Sequence, residues 1–112
     1  MEANVEGYEE AREGELGRIV ELLKRSGALR VILFGSYARG RRDALVDLDL
    51  IVVQESRLPF VERTAELYRQ VVPKVAVDFL VYTPAEWQEM KDSPFIRHAL
   101  AEGKVLYEKD AP

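Results

Sequence analysis

The chain has 112 residues, 47% of them hydrophobic and 32% charged, with a formal net charge of -4. That length suits one ordinary core and is small for a self-sufficient enzyme, so a single domain over residues 1–112 is expected. The acidic balance gives no general field for nucleic acid. The lack of cysteine excludes disulfides, zinc–thiolate sites and thiol nucleophiles. No apolar run is long enough to span a bilayer and the acidic start does not read as a signal peptide. We therefore expect a cytoplasmic protein without membrane or direct nucleic-acid contact.

In chain order, the first segment carries Glu2, Glu6, Glu9, Glu10, Glu13 and Glu15, read as a solvated helix face. Leu16, Ile19, Val20 and Leu23 follow helical spacing, and Ser26-Gly27 ends the helix. Leu29 to Phe34 is a short β-rich run broken by Gly35-Ser36. A polar stretch, with a short helix or a turn, leads to a second strand predicted over Leu45 to Val53. Pro59 to Val72 reads as a helix with Pro59 near its first position, and Phe60, Thr64, Leu67, Tyr68 and Val71 on one face.

Val75 to Tyr82 is the third predicted strand. Thr83-Pro84-Ala85-Glu86 is a capping box, Ser93-Pro94 restarts a helix to about Ala101, and Gly103 stops it. The run KVLYE adds a short last strand, and the final EKDAP is expected to fray. The alternation predicts an α/β (α+β) domain, a small mixed β-sheet flanked by helices.

The chemistry concentrates in three places. Asp47 and Asp49, two apart on a strand, project to one face; Leu48, Leu50 and Val52 take the other, while Ile51 and Val53 continue the acids' face. Two like charges so close repel, and a divalent cation reverses that cost. The alternative is a solvated pair, neutralised by Arg41 or Arg42. Asp78 stands in the middle of an apolar strand, where a buried carboxylate needs a cation, a hydrogen-bond network or Lys74. If the second and third strands are neighbours, all three acids share one patch. Gly35-Ser36 permits close backbone approach to a ligand and opens a helix whose N–H groups suit phosphate, or else is a plain capped turn. Arg39, Arg41 and Arg42 form the densest basic cluster, and arginine suits phosphate. Together these parts fit a two-metal displacement at phosphorus. His98 reads as a helix-surface residue, and Trp87 and the tyrosines as packing groups.

GSYARG, VDLDL and VDFLV together resemble the minimal nucleotidyltransferases of the DNA polymerase β-like superfamily, whose signature is Gly-Ser, ten residues, then Asp-x-Asp. Ten residues separate Ser36 from Asp47, and Ala38-Arg39-Gly40 also follows the pattern, as do TPAEW and SPFIRHALAEGKVLYE. The resemblance implies the polymerase β-like fold and transfer of a nucleoside monophosphate, usually AMP from ATP. It implies that Gly35 and Ser36, with Arg39 and Arg42 beside them, bind the nucleotide. It implies that Asp47 and Asp49 bind Mg²⁺, with Asp78 as the third carboxylate, ligand or general base. It further implies a HEPN-domain toxin as partner and acceptor, with the chain acting as antitoxin in a homo- or hetero-oligomer. Val46 stands where the family often has Ser, losing one polar contact but none of the acids. Two other readings are an antitoxin acting by contact alone and a transferase for antibiotics, which ordinarily needs an extra acceptor domain.

Overall fold

The computed structural model describes residues 5–110. Glu2 lies outside them, as do the side chain of Glu6 and the end of the expected frayed tail, Ala111 and Pro112. Helix α1 (Val5–Arg25) precedes β1 (Arg30–Phe34), and the four-residue α2 (Gly35–Ala38) follows directly. Then come β2 (Leu48–Val53), α3 (Phe60–Val71), β3 (Val77–Tyr82), α4 (Pro84–Met90), α5 (Pro94–Glu102) and β4 (Lys104–Glu108). Among the described residues no helix is long and apolar enough to cross a membrane.

The four strands form one mixed sheet in the order β3-β2-β1-β4. β2 runs parallel to β3, and β1 is antiparallel to both β2 and β4. Alternation along each strand divides the core in two. Leu33, Leu48, Leu50, Val52, Phe79 and Val81 pack with Ile19 and Leu23 of α1 and Leu67 and Val71 of α3. On the other face Ile32, Ile51, Val53 and Tyr82 pack with Trp87 of α4 and with Ile96 and Ala99 of α5. Helices thus cover both faces, and the two-residue periodicity of the Asp-x-Asp strand is realised as read.

Local signals explain the ends of the elements. Gly27 has φ +96°, and the Ala28 N–H donates to the Leu23 carbonyl at 3.0 Å, closing α1. Thr83 caps α4 in the expected capping box, with Glu86 returning a bond from the Thr83 N–H at 2.9 Å. Ser93 caps α5. Gly103 does more than stop a helix: a Cβ there would meet the Leu33 carbonyl at 2.5 Å, so its absence lets α5 turn into β4 against β1.

Several expectations are corrected. β2 begins at Leu48, three residues later than Leu45, which is 83% exposed because the chain is still in a turn there. Pro59, expected near the first position of α3, is its N-cap; Phe60 is 40% exposed, and the buried residues of α3 are Arg63, Leu67 and Val71, with Tyr68 packed beside the core. The acids of α1 are not all solvated. Glu15 is buried, takes two bonds from Arg18 at 2.6 and 2.8 Å and accepts the Lys74 N–H. Glu9 accepts the Tyr37 hydroxyl at 2.5 Å. Nor is the start of the tail frayed, because Glu108 belongs to β4 and the Lys109 N–H bonds the Leu29 carbonyl at 2.9 Å.

Candidate active site

Register decides the site. Phe34, the last residue of β1, stands opposite Asp49, and Asp49 stands opposite Asp78 across the parallel pair. Directly paired residues share a face, so Phe34, Asp49 and Asp78 form a row across three strands. The row lies on the face carrying Ile51 and Val53, at the end of the sheet where β2 and β3 begin. α5 flanks it, with Phe95 edge-on to Phe34 at 5.9 Å between ring centroids. Asp78 is the second residue of β3 and exposed, not buried in mid-strand as its apolar neighbours suggested. Among the described residues no ion pair joins Lys74 to Asp78; the Lys74 backbone N–H donates to Glu15 instead.

Gly35 follows the row at once. Its φ is +78°, and a Cβ on it would lie 2.1 Å from Asp49 Oδ2. Only glycine satisfies both conditions, so the backbone at the start of α2 rests against the Asp49 carboxylate. Asp49 is half-buried, and its carboxyl is pushed up to about 6, first by burial and then by the charge of Asp78, its hydrogen bond with Asp78 and the charge of Asp47. Arg39 opposes that rise.

Asp47 lies one residue before β2 and is exposed. It acts on Asp49 through charge, without a bond. Among the described residues no three His, Cys, Asp or Glu side chains are gathered closely enough to hold a metal ion. Asp49 and Asp78 are adjacent across the parallel pair, and Asp47, exposed just before β2, adds a third negative charge nearby. The donor set nevertheless fits a hard divalent cation: all the donors are carboxylate oxygens, and the Asp49–Asp78 pair is held together at a cost that positive charge removes.

The arginines divide. Arg39 donates to Ser36 Oγ at 3.1 Å and to Glu102 of α5 at 3.3 Å. It faces the acids. Arg41 pairs with Asp43 at 2.5 Å and feels Asp47. Arg42 lies over the Tyr37 ring, 3.8 Å from its centroid, and bonds Glu9 at 3.2 Å, so it is committed to α1 and α2 rather than turned to the acids. Ser36 makes no side-chain cap on α2, contrary to the capped-turn alternative, which leaves its hydroxyl to Arg39. His98 is exposed and Trp87 buried, as expected. Sequence reasoning missed Arg63, which is buried in α3 and grips Glu86 while donating to the Val81 carbonyl at 3.0 Å. A charged residue on the core stripe of a helix was the available signal.

Residues 18–112 match the family described as Polymerase beta, Nucleotidyltransferase. No curated protein matches the chain significantly. The fold is similar to a chain of the MntA-HpeT toxin–antitoxin in a mutant form, with TM-score 0.59 and 20% identity over 84% of this chain and 72% of that one. It is similar to a chain of a toxin–antitoxin with AMP-PNP, with TM-score 0.55 and 20% identity over 84% and 73% of the two chains. A Sulfolobus solfataricus protein, provisionally described as a nucleotidyltransferase, gives TM-score 0.57 and 22% identity over 88% and 87%. At these identities the structures speak for the fold, while the sequence match extends from the middle of α1 to the last residue and contains every acid of the site. The chain belongs to the polymerase beta nucleotidyltransferase family.

Proposed function

We propose that the chain transfers a nucleoside monophosphate, AMP from ATP in the first instance, to a HEPN-domain toxin and thereby acts as its antitoxin. The observation that carries this reading is the Asp49–Asp78 register with the Gly35 backbone pressed against it. It brings the Gly-Ser backbone next to a carboxylate pair, which supports reading the two as the phosphate and cation halves of one site. Toxin–antitoxin chains among the structural neighbours, one with AMP-PNP, support the choice of acceptor and donor.

Gly35 and Ser36 receive the triphosphate, and Arg39, already on Ser36, meets its negative charge. Asp47 and Asp49, with Asp78 as third carboxylate, are the residues that would hold Mg²⁺, as the two-metal reading of the site requires. When bound, Mg²⁺ supplies charge neutralisation at the phosphates and the attacking oxygen. A hydroxyl oxygen of the acceptor forms a bond to the α-phosphorus. The bond from that phosphorus to the bridging oxygen breaks, and pyrophosphate leaves with its electron pair. Asp78, exposed beside Asp49, is the third ligand or, in the alternative role, the base that takes the hydroxyl proton. Such an acceptor puts the reaction in the cytoplasm, in a complex of the two chains.

The test is incubation of the chain with labelled ATP, Mg²⁺ and a HEPN partner. Label is expected on the partner with wild type and not with Asp47→Ala. Equal labelling by the two overturns the assignment, and full neutralisation of the toxin by Asp78→Ala assigns the effect to contact alone.

A further inference from the structure

We propose that Arg12 is a positioning residue, which from the first half of α1 fixes the connector between α2 and β2 and so the place of Asp47. The proposal rests on the site described above. Residues 39–47 join the Gly-Ser turn to the Asp-x-Asp strand without helix or strand, through turns at 39–40 and 44–45, and Gly40 within them has φ +109°. Such a segment has no ladder to hold it, and beside its own local turn bonds it is held by side chains from outside it.

Arg12 supplies that hold. It is 4% exposed, with Nη1 donating to the Asp43 carbonyl at 2.6 Å and Nη2 to the Arg42 carbonyl at 2.7 Å. The same Asp43 carbonyl accepts the Val46 N–H at 3.4 Å. Val46 is buried and Asp47 is the next residue, so two hydrogen bonds link the Arg12 guanidinium to the backbone of Val46, the immediate neighbour of a site carboxylate. Glu9 completes the clamp by accepting from the Tyr37 hydroxyl, from Arg12 at 3.3 Å and from Arg42 at 3.2 Å.

The arrangement is more than packing. A buried guanidinium is expensive, and Arg12 Nε has no partner among the described residues. The donors that are satisfied reach mainly the connector: both carbonyl bonds go to residues 30 or more positions away. Arg12 and Glu9 also precede residue 18, where the family match starts, so the clamp is contributed by a part of this chain beyond the matched region.

The test uses the full chain and two readouts that do not require transfer. The first is amide hydrogen exchange over residues 39–47, with β1 and β2 as internal controls. The second is Mn²⁺ binding followed by electron paramagnetic resonance. Arg12→Met is expected to speed exchange across the connector and to weaken Mn²⁺ binding by roughly ten-fold, as loss of charge-assisted hydrogen bonds implies, while exchange in β1 and β2 is unchanged. Arg12→Lys, keeping the charge on a single donor nitrogen, recovers part of both. In the Arg12→Met background, Asp47→Ala should weaken Mn²⁺ binding less than it does alone. Unchanged connector exchange, or unchanged Mn²⁺ affinity, in a folded Arg12→Met protein overturns the proposal. If Arg12→Met does not fold, Tyr37→Phe and Arg12→Lys carry the same comparison. A wild type that binds Mn²⁺ with a protected connector but labels no acceptor refutes the proposed transfer and leaves this clamp standing.

Discussion

Asp49 and Glu86 are carboxylates at opposite ends of the same parallel strand pair, and their surroundings drive them opposite ways. Asp49, where β2 begins, faces burial and a second carboxylate, and its carboxyl is pushed up to about 6. Glu86, just beyond the end of β3, receives the Arg63 fork and the Thr83 N–H, which hold it down at about 2. Glu15 resembles Glu86, held at about 2 mainly by Arg18. One end of the sheet is neutralised within the chain. The other keeps its negative charge concentrated, which is how a site for a cationic or polyphosphate-bound partner differs from a structural ion pair.

The comparison can be broken at its active end first. Asp49→Ala should lower labelled-AMP transfer by more than the roughly 100-fold typical of losing a group one step removed from a metal. Because it removes a repelling charge, it should leave the melting temperature in metal-free buffer equal or higher. A large fall in both would mean Asp49 is structural.

Gly35→Ala is next. The new Cβ would meet Asp49 Oδ2 at 2.1 Å with φ +78°. A stability loss of about 1–3 kcal/mol is expected from the backbone conformation, together with loss of transfer as Asp49 is displaced. Denaturant unfolding and the transfer assay read the two effects separately.

At the paired end the effect is on stability. Glu86→Ala removes the capping box and leaves the buried Arg63 with two donors unmet. We expect a loss of about 1–3 kcal/mol in chemical denaturation, with nucleotide binding unchanged.

The smallest effect sharpens the contrast through pH. Glu15 and Glu86 have carboxyls lowered from 4.5 to about 2, so their contribution is complete above 4.5 and is lost as pH falls toward 2. Asp49 is raised from 3.8 to about 6, so its contribution is present below 3.8 and is lost as pH rises through about 6. Without divalent metal, the melting temperature should therefore decline on both sides of mildly acidic pH. Asp49→Asn should flatten only the limb between 3.8 and about 6, and Mg²⁺ should raise wild type on that limb.

The sequence showed the Gly-Ser turn, the ten-residue interval and the Asp-x-Asp alternation because each depends on neighbours within one or two strands. It also showed the Thr83–Glu86 cap, which closes within one helical turn. It did not show where β2 begins, since Leu45 has strand character but lies in a turn whose Asp43 carbonyl is held by Arg12. It placed Arg42 with the nucleotide, whereas the Tyr37 ring and Glu9 claim it.

What the sequence by itself determined is the set of chemical groups and the local geometry that carries them. Period-two alternation fixes which side chains share a face, and Gly35 fixes a backbone conformation open to few other residues. What only the tertiary structure decided is pairing at a distance. Asp78 meets Asp49 because α3 returns the chain to lay β3 parallel to β2 in that register, 29 residues apart. Arg63 meets Glu86, and Arg12 meets the connector, for the same reason. Long-range contacts follow from how buried faces stack, and a shift of one residue in register would have turned Asp78 to the opposite face.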